Sequence, residues 1–100
     1  MATTNYKFNE DEKNYTLSLD LPGYNKEDIT INAEARSISV KAKRENVNGK
    51  YILKERSNIF DRKFNLYMPV DKDNVTANYE KGVLNITLPK HNTSRQISLN

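Results

Sequence analysis

Apolar and polar residues alternate along most of this chain. Tyr15, Leu17, Leu19 and Leu21 interleave with Thr16, Ser18 and Asp20. Successive side chains of a strand point to opposite faces, so this run predicts a strand with one buried face. The same period returns at Ile29, Ile31 and Ala33, at Ile38, Val40 and Ala42, and at Phe64, Leu66 and Met68. It returns again at Val75, Ala77 and Tyr79, and at Leu84, Ile86 and Leu88, while Tyr6 and Phe8 predict a short leading strand. No window of about 11 residues keeps a helical stripe.

Turn chemistry separates these runs. Proline cannot donate to a ladder and glycine accepts positive φ, so Leu21-Pro22-Gly23-Tyr24 ends a strand. Residues 25–28 continue that loop and could form one helical turn. Asn48-Gly49 is a hairpin signal, residues 80–82 make a tight turn, residues 69–73 form a loop, and Pro89 stops the last main strand. Short strands at about ten-residue spacing predict an all-β, immunoglobulin-like antiparallel β-sandwich of seven or eight strands. The expected division is a short N-terminal remnant (1–5), one domain (6–90) and a C-terminal tail (91–100).

Two segments do not fit a plain sandwich. Residues 50–55 hold Tyr51, Ile52 and Leu53 in a loop between two good strands. A short strand that leaves its own domain to pair elsewhere would explain them. The tail is polar except for Ile97 and Leu99, which flank Ser98. In an extended tail both can face one groove.

Composition narrows the function classes. Hydrophobic residues make up 36% of the 100 residues, which predicts a thin core in one domain that association would help to stabilise. A net charge of +3 with acids and bases interspersed is too mild for an electrostatic case for nucleic acid. With no cysteine, disulfides and thiolate metal sites are excluded. No apolar stretch reaches the roughly 18 residues of a membrane span, and the start lacks the apolar run of a signal peptide. The expectation is a cytoplasmic protein with no membrane partner.

In order along the chain, several segments resemble the small heat-shock protein family. Residues 77–84, Ala-Asn-Tyr-Glu-Lys-Gly-Val-Leu, resemble its signature of an alanine, a hydrophobic residue and Gly-Val-Leu. Asp20-Leu21-Pro22-Gly23 resembles its leucine-proline-glycine turn, and residues 25–29 resemble the acidic stretch after that turn. Glu55-Arg56-Ser57 and residues 60–64 resemble the approach to and start of a central strand, and Ile97-Ser98-Leu99 its isoleucine-x-isoleucine tail. Asn58-Ile59 replaces a usual glycine, Tyr67 stands where proline is common, and few residues precede Tyr6 where members carry a longer arm. The expectation is therefore a minimal member or a trimmed piece.

The resemblance implies an α-crystallin domain. In the bacterial and plant branch it implies dimers formed by exchanging the loop strand, here Tyr51, Ile52 and Leu53. It also implies a tail anchored by Ile97 and Leu99 in a groove of another subunit, lined by Ile29, Ile31, Ala33, Val75 and Ala77. Those five residues could equally be ordinary core, and Ile97 with Leu99 a frayed tail. Arg62 shares parity with Phe60, Phe64, Leu66 and Met68, so it points toward an apolar face. It could snorkel from a rim. The family's arginine at this position makes a dimer-interface role the other reading.

No catalytic or metal-binding constellation emerges, and no cofactor is expected. His91 is the only histidine and sits in a polar tail. Glu10-Asp11-Glu12 lacks the spacing of a calcium loop and reads as a solvated turn. The leading expectation is a non-enzymatic, ATP-independent holdase that binds unfolding proteins. A co-chaperone or scaffold of the p23-like type is the second reading. A single-stranded nucleic-acid binder using Lys41, Lys43 and Arg44 is the third.

Overall fold

The computed structural model describes residues 5–44, 58–91 and residue 99. Seven strands appear there: β1 (Tyr6–Glu10), β2 (Asn14–Asp20), β3 (Ile29–Glu34), β4 (Ser37–Arg44), β5 (Asn58–Asn65), β6 (Thr76–Glu80) and β7 (Val83–Pro89). All pairings are antiparallel. One sheet runs β1-β2-β7-β6 and the other β3-β4-β5.

The period-two runs become the inward faces of the central strands. Tyr15, Leu17 and Leu19 of β2 stand opposite Leu88, Ile86 and Leu84 of β7. Ile38, Val40 and Ala42 of β4 are likewise buried, and both sheets feed one apolar cluster. Burying one such side chain is worth about 1.5–3 kcal/mol, so these three strands carry most of the thin core.

Turns follow the predicted chemistry. Residues 26–28 form the expected helical turn, as one 3-10 turn. The β6–β7 hairpin turns on Lys81 (φ 49°) and Gly82 (φ 80°). Two left-handed residues match the twist of a two-residue hairpin. Lysine in that region costs roughly 1–2 kcal/mol, whereas glycine has no Cβ to clash.

Two predicted strands are shifted. The fifth strand ends at Asn65, so Leu66 and Met68 lie beyond it although they keep its parity. Leu66 is still buried, because its N–H donates to the Arg36 carbonyl (2.9 Å) and holds it against the core. Val75 precedes β6, at the end of a second 3-10 turn over Lys72–Asn74. The Asn48-Gly49 hairpin and Tyr51, Ile52 and Leu53 lie outside the described residues.

Candidate functional site

β3 and β6 are each the edge of a sheet, since among the described residues β3 pairs only with β4 and β6 only with β7. Their side chains border a common groove. It consists of two adjoining depressions of about 450 and 440 Å³ that share Ile31 and Ala77. Ile29, Tyr79 and Leu84 line the first, with Lys26 and Glu80 at its charged margin. Ala33 and Val75 line the second, with Lys72 and Asp73.

All five residues read as groove candidates are thus brought together. Ile29, Ile31, Ala33 and Val75 are half-buried against the core, and Ala77 is exposed. They are not closed core. The reason is position: each edge strand has a neighbour on one side only, and short side chains at Ala33 and Ala77 cannot bridge to the other sheet. Each edge also leaves backbone donors and acceptors unpaired within its sheet, which an extended segment can use.

One end of the groove is built by contacts that alternation does not reveal. The Tyr79 hydroxyl donates to the carbonyls of Leu21 (2.5 Å) and Tyr24 (3.0 Å). Arg44 donates to the Pro22 carbonyl (2.7 Å) and lies 5.0 Å from the Tyr24 ring centre. A side chain at Gly23, where φ is 82°, would stand 2.9 Å from Arg44 Nη1. The Leu21 N–H donates to Gly82 (2.8 Å), and a Cβ on Gly82 would come within 3.3 Å of Pro22 Cα. The leucine-proline-glycine turn and the Gly82 hairpin are therefore one packed unit beside the groove. Tyr79, Arg44 and Tyr24 do not stand out as groove residues in the sequence. The available signal is the polar tip that a half-buried tyrosine must satisfy.

The opposite opening, between β1 and β5, is filled by rings. Tyr6 meets Phe64 edge-on (5.3 Å), and Phe8 stacks on Tyr15 (5.4 Å). Arg62 lies exposed over Tyr6 (4.8 Å) and Phe64 (5.1 Å). It therefore stands at a rim, with its charge against aromatic faces and no acid paired with it among the described residues. Tyr6 stays 44% exposed beneath it, which makes this an accessible aromatic-arginine patch. Of the two tail residues, Ile97 lies outside the described residues and Leu99 is 94% exposed.

No group of three or more His, Cys, Asp or Glu residues that could hold a metal occurs among the described residues. The acidic stretch is a turn. Asp11 accepts from the N–H groups of Lys13 (2.8 Å) and Asn14 (2.7 Å), and these bonds hold its carboxyl below the usual carboxylate range. Lys90 bridges to Glu10 (2.6 Å) and donates to the Asp11 carbonyl. Both carboxylates thus serve the β1–β2 connection.

Comparison with known proteins agrees with this architecture. The family model described as Hsp20/alpha crystallin matches residues 7–100. Small heat shock protein C2 of Rickettsia felis is 35% identical over 86 residues, covering 81% of this chain and 56% of that protein. The probable 15 kDa heat shock protein of Leptospira interrogans is 36% identical over 83 residues, 80% of this chain and 64% of its own length. The chain thus spans between half and two thirds of these relatives. Among solved structures, a small heat-shock protein from Xylella fastidiosa superposes with a TM-score of 0.74 at 28% identity, over 99% of this chain and 97% of that one. Heat shock protein 16.0 from Schizosaccharomyces pombe has a TM-score of 0.75 at 22% identity over the whole of both chains, a likeness of fold. Two antiparallel sheets with seven strands, the paired turns and the matched sequence together make the chain a member of the Hsp20/alpha crystallin family of small heat-shock proteins.

Proposed function

We propose that this chain is an ATP-independent holdase, or the core of one, which captures unfolding proteins before they aggregate. The observation that carries this reading is the open groove between β3 and β6. It offers apolar walls at Ile29, Ile31, Ala33, Val75 and Ala77 together with unpaired strand edges. Unfolding chains expose apolar, extended segments, and these are complementary to such a site. Capture of this kind is an equilibrium in which no bond is broken and no cofactor is required.

In this reading the two sheets close as a sandwich over residues 6–90, and residues 91–100 act as a tether. Ile97 and Leu99 of one copy cover the groove of another at rest. Burying two such side chains supplies about 3–6 kcal/mol before ordering costs, enough for a reversible cover. Dimers form by exchange of the segment holding Tyr51, Ile52 and Leu53, with Arg62 at the interface. The Arg62 patch supports this, because tyrosine and arginine are enriched where proteins associate. The Xylella fastidiosa protein has a distinct high order structure, which is in keeping with tail-linked assemblies here. The cytoplasm is the proposed compartment.

Light scattering of a heat-denatured client, without ATP and with equimolar protein, tests the function. Suppressed scattering is expected. A client that aggregates at the same rate with and without the chain removes the holdase reading and leaves the fold intact.

A further inference from the structure

Each end of the groove carries charge as well as apolar wall. Glu80 and Lys26 border one depression, and Asp73 and Lys72 border the other. No ion pair engages Glu80 or Asp73 among the described residues. The tail has a matching feature. Arg95 stands two residues before Ile97 and four before Leu99, so an extended tail presents all three on one face.

We infer that Arg95 is a third anchor of the tail, a charged one that pairs with the carboxylate at the end of the groove it reaches. This rests on the tail-docking reading above and adds what selects the occupant. The lengths agree. Residues 95–99 span about 13 Å when extended, and residues 75–80, which border the groove, about 17 Å. With Ile97 and Leu99 in the two adjoining depressions, Arg95 falls at the margin beyond the first of them. The guanidinium fork suits a carboxylate there, whereas a lysine at the same end keeps its own charge in water. Because both margins hold a carboxylate, the match is available whichever way the tail runs. The groove thereby favours extended segments of the form base-x-apolar-x-apolar over apolar pairs without a charge, in clients as in the tail.

The test is a binding titration monitored by fluorescence anisotropy. The receiver is the full chain carrying Ile97→Ala and Leu99→Ala, so that its own tail does not compete. The probe is a labelled peptide of residues 91–100, with Arg95→Gln and Arg95→Lys versions. Glutamine is expected to weaken binding about two- to fivefold, the range of exposed ion pairs, and lysine to retain most of it. The glutamine effect is expected to vanish on a receiver that also carries Glu80→Gln and Asp73→Asn. Equal affinity of the natural and glutamine peptides overturns the role of Arg95 while leaving tail docking in place. A loss that persists on the carboxylate-free receiver overturns the assigned partners. Failure of the natural peptide to bind overturns tail docking itself.

Discussion

Between β1 and β5 the space at the sheet edges is taken up by Tyr6, Phe8 and Phe64 with Arg62 laid over them. Between β3 and β6 the corresponding space is bordered by isoleucine, valine and alanine and stays open. Both openings flank the same core and belong to edges of the same two sheets. The difference is side-chain reach. A ring on one edge crosses to a ring on the other at 5.3 Å, whereas Ala33 and Ala77 leave depressions of about 450 and 440 Å³. Among the described residues, the few aromatics therefore seal one side and leave the other open.

The largest effect should come from reversing the two sides. Phe64→Ala empties a ring that is 8% exposed and should cost about 3–5 kcal/mol. Ile31→Ala, on the open side, should cost about 1–2 kcal/mol because that side chain is only partly buried. Urea unfolding of both variants gives the comparison. Equal losses would mean that the openings do not differ in energy as they do in shape.

A smaller change sharpens the filled side. Arg62→Ala removes two cation–ring contacts and should lower the stability of the single chain by about 0.5–1 kcal/mol. Its effect on association should be the larger one. Sedimentation equilibrium should therefore show a raised dimer dissociation constant. A constant unchanged from the parent would leave Arg62 as a rim residue only.

The smallest effect lies in the turn that leads from β1 into the core strand β2. The Asp11 carboxyl titrates below its ordinary value because two N–H groups bond its ionised form. A depressed folded-state value stabilises above the unfolded one and is lost as the pH falls through the folded one. The stability gap between the parent and Asp11→Asn should therefore be full at neutral pH, narrow below about pH 4 and close once Asp11 is protonated. Thermal melts between pH 7 and pH 2 track it. A gap that stays constant over that range would show that the charge contributes nothing.

The inward residues of β2, β4 and β7 are legible in the sequence because each strand is buried on one face only and its apolar residues alternate cleanly. The end of β5 is not legible, for a physical reason. Phe64, Leu66 and Met68 keep period two past the end of the ladder, and the backbone there turns to Ala35 and Arg36 instead of a neighbouring strand. Alternation reports which side faces the core, not whether a ladder continues. The groove is half legible. Its residues can be named, but a fully buried strand and a half-buried edge give the same pattern, so openness cannot be read. The partners of Tyr79 and Arg44 are not legible, because backbone carbonyls about 55 and 22 positions away carry no residue-type signal.

The phenol of Tyr79 has a single proton, and two carbonyls of the crossover from β2 to β3 compete for it. Its ring is also a wall of the groove. The place of that wall is consequently fixed by the connection between the sheets, whatever enters the groove. An arriving segment meets a jamb already set in its frame. Docking of the kind proposed above would carry no ordering cost for assembling that wall, so its affinity at this end would depend on how well the visitor fits and not on how far the host must move.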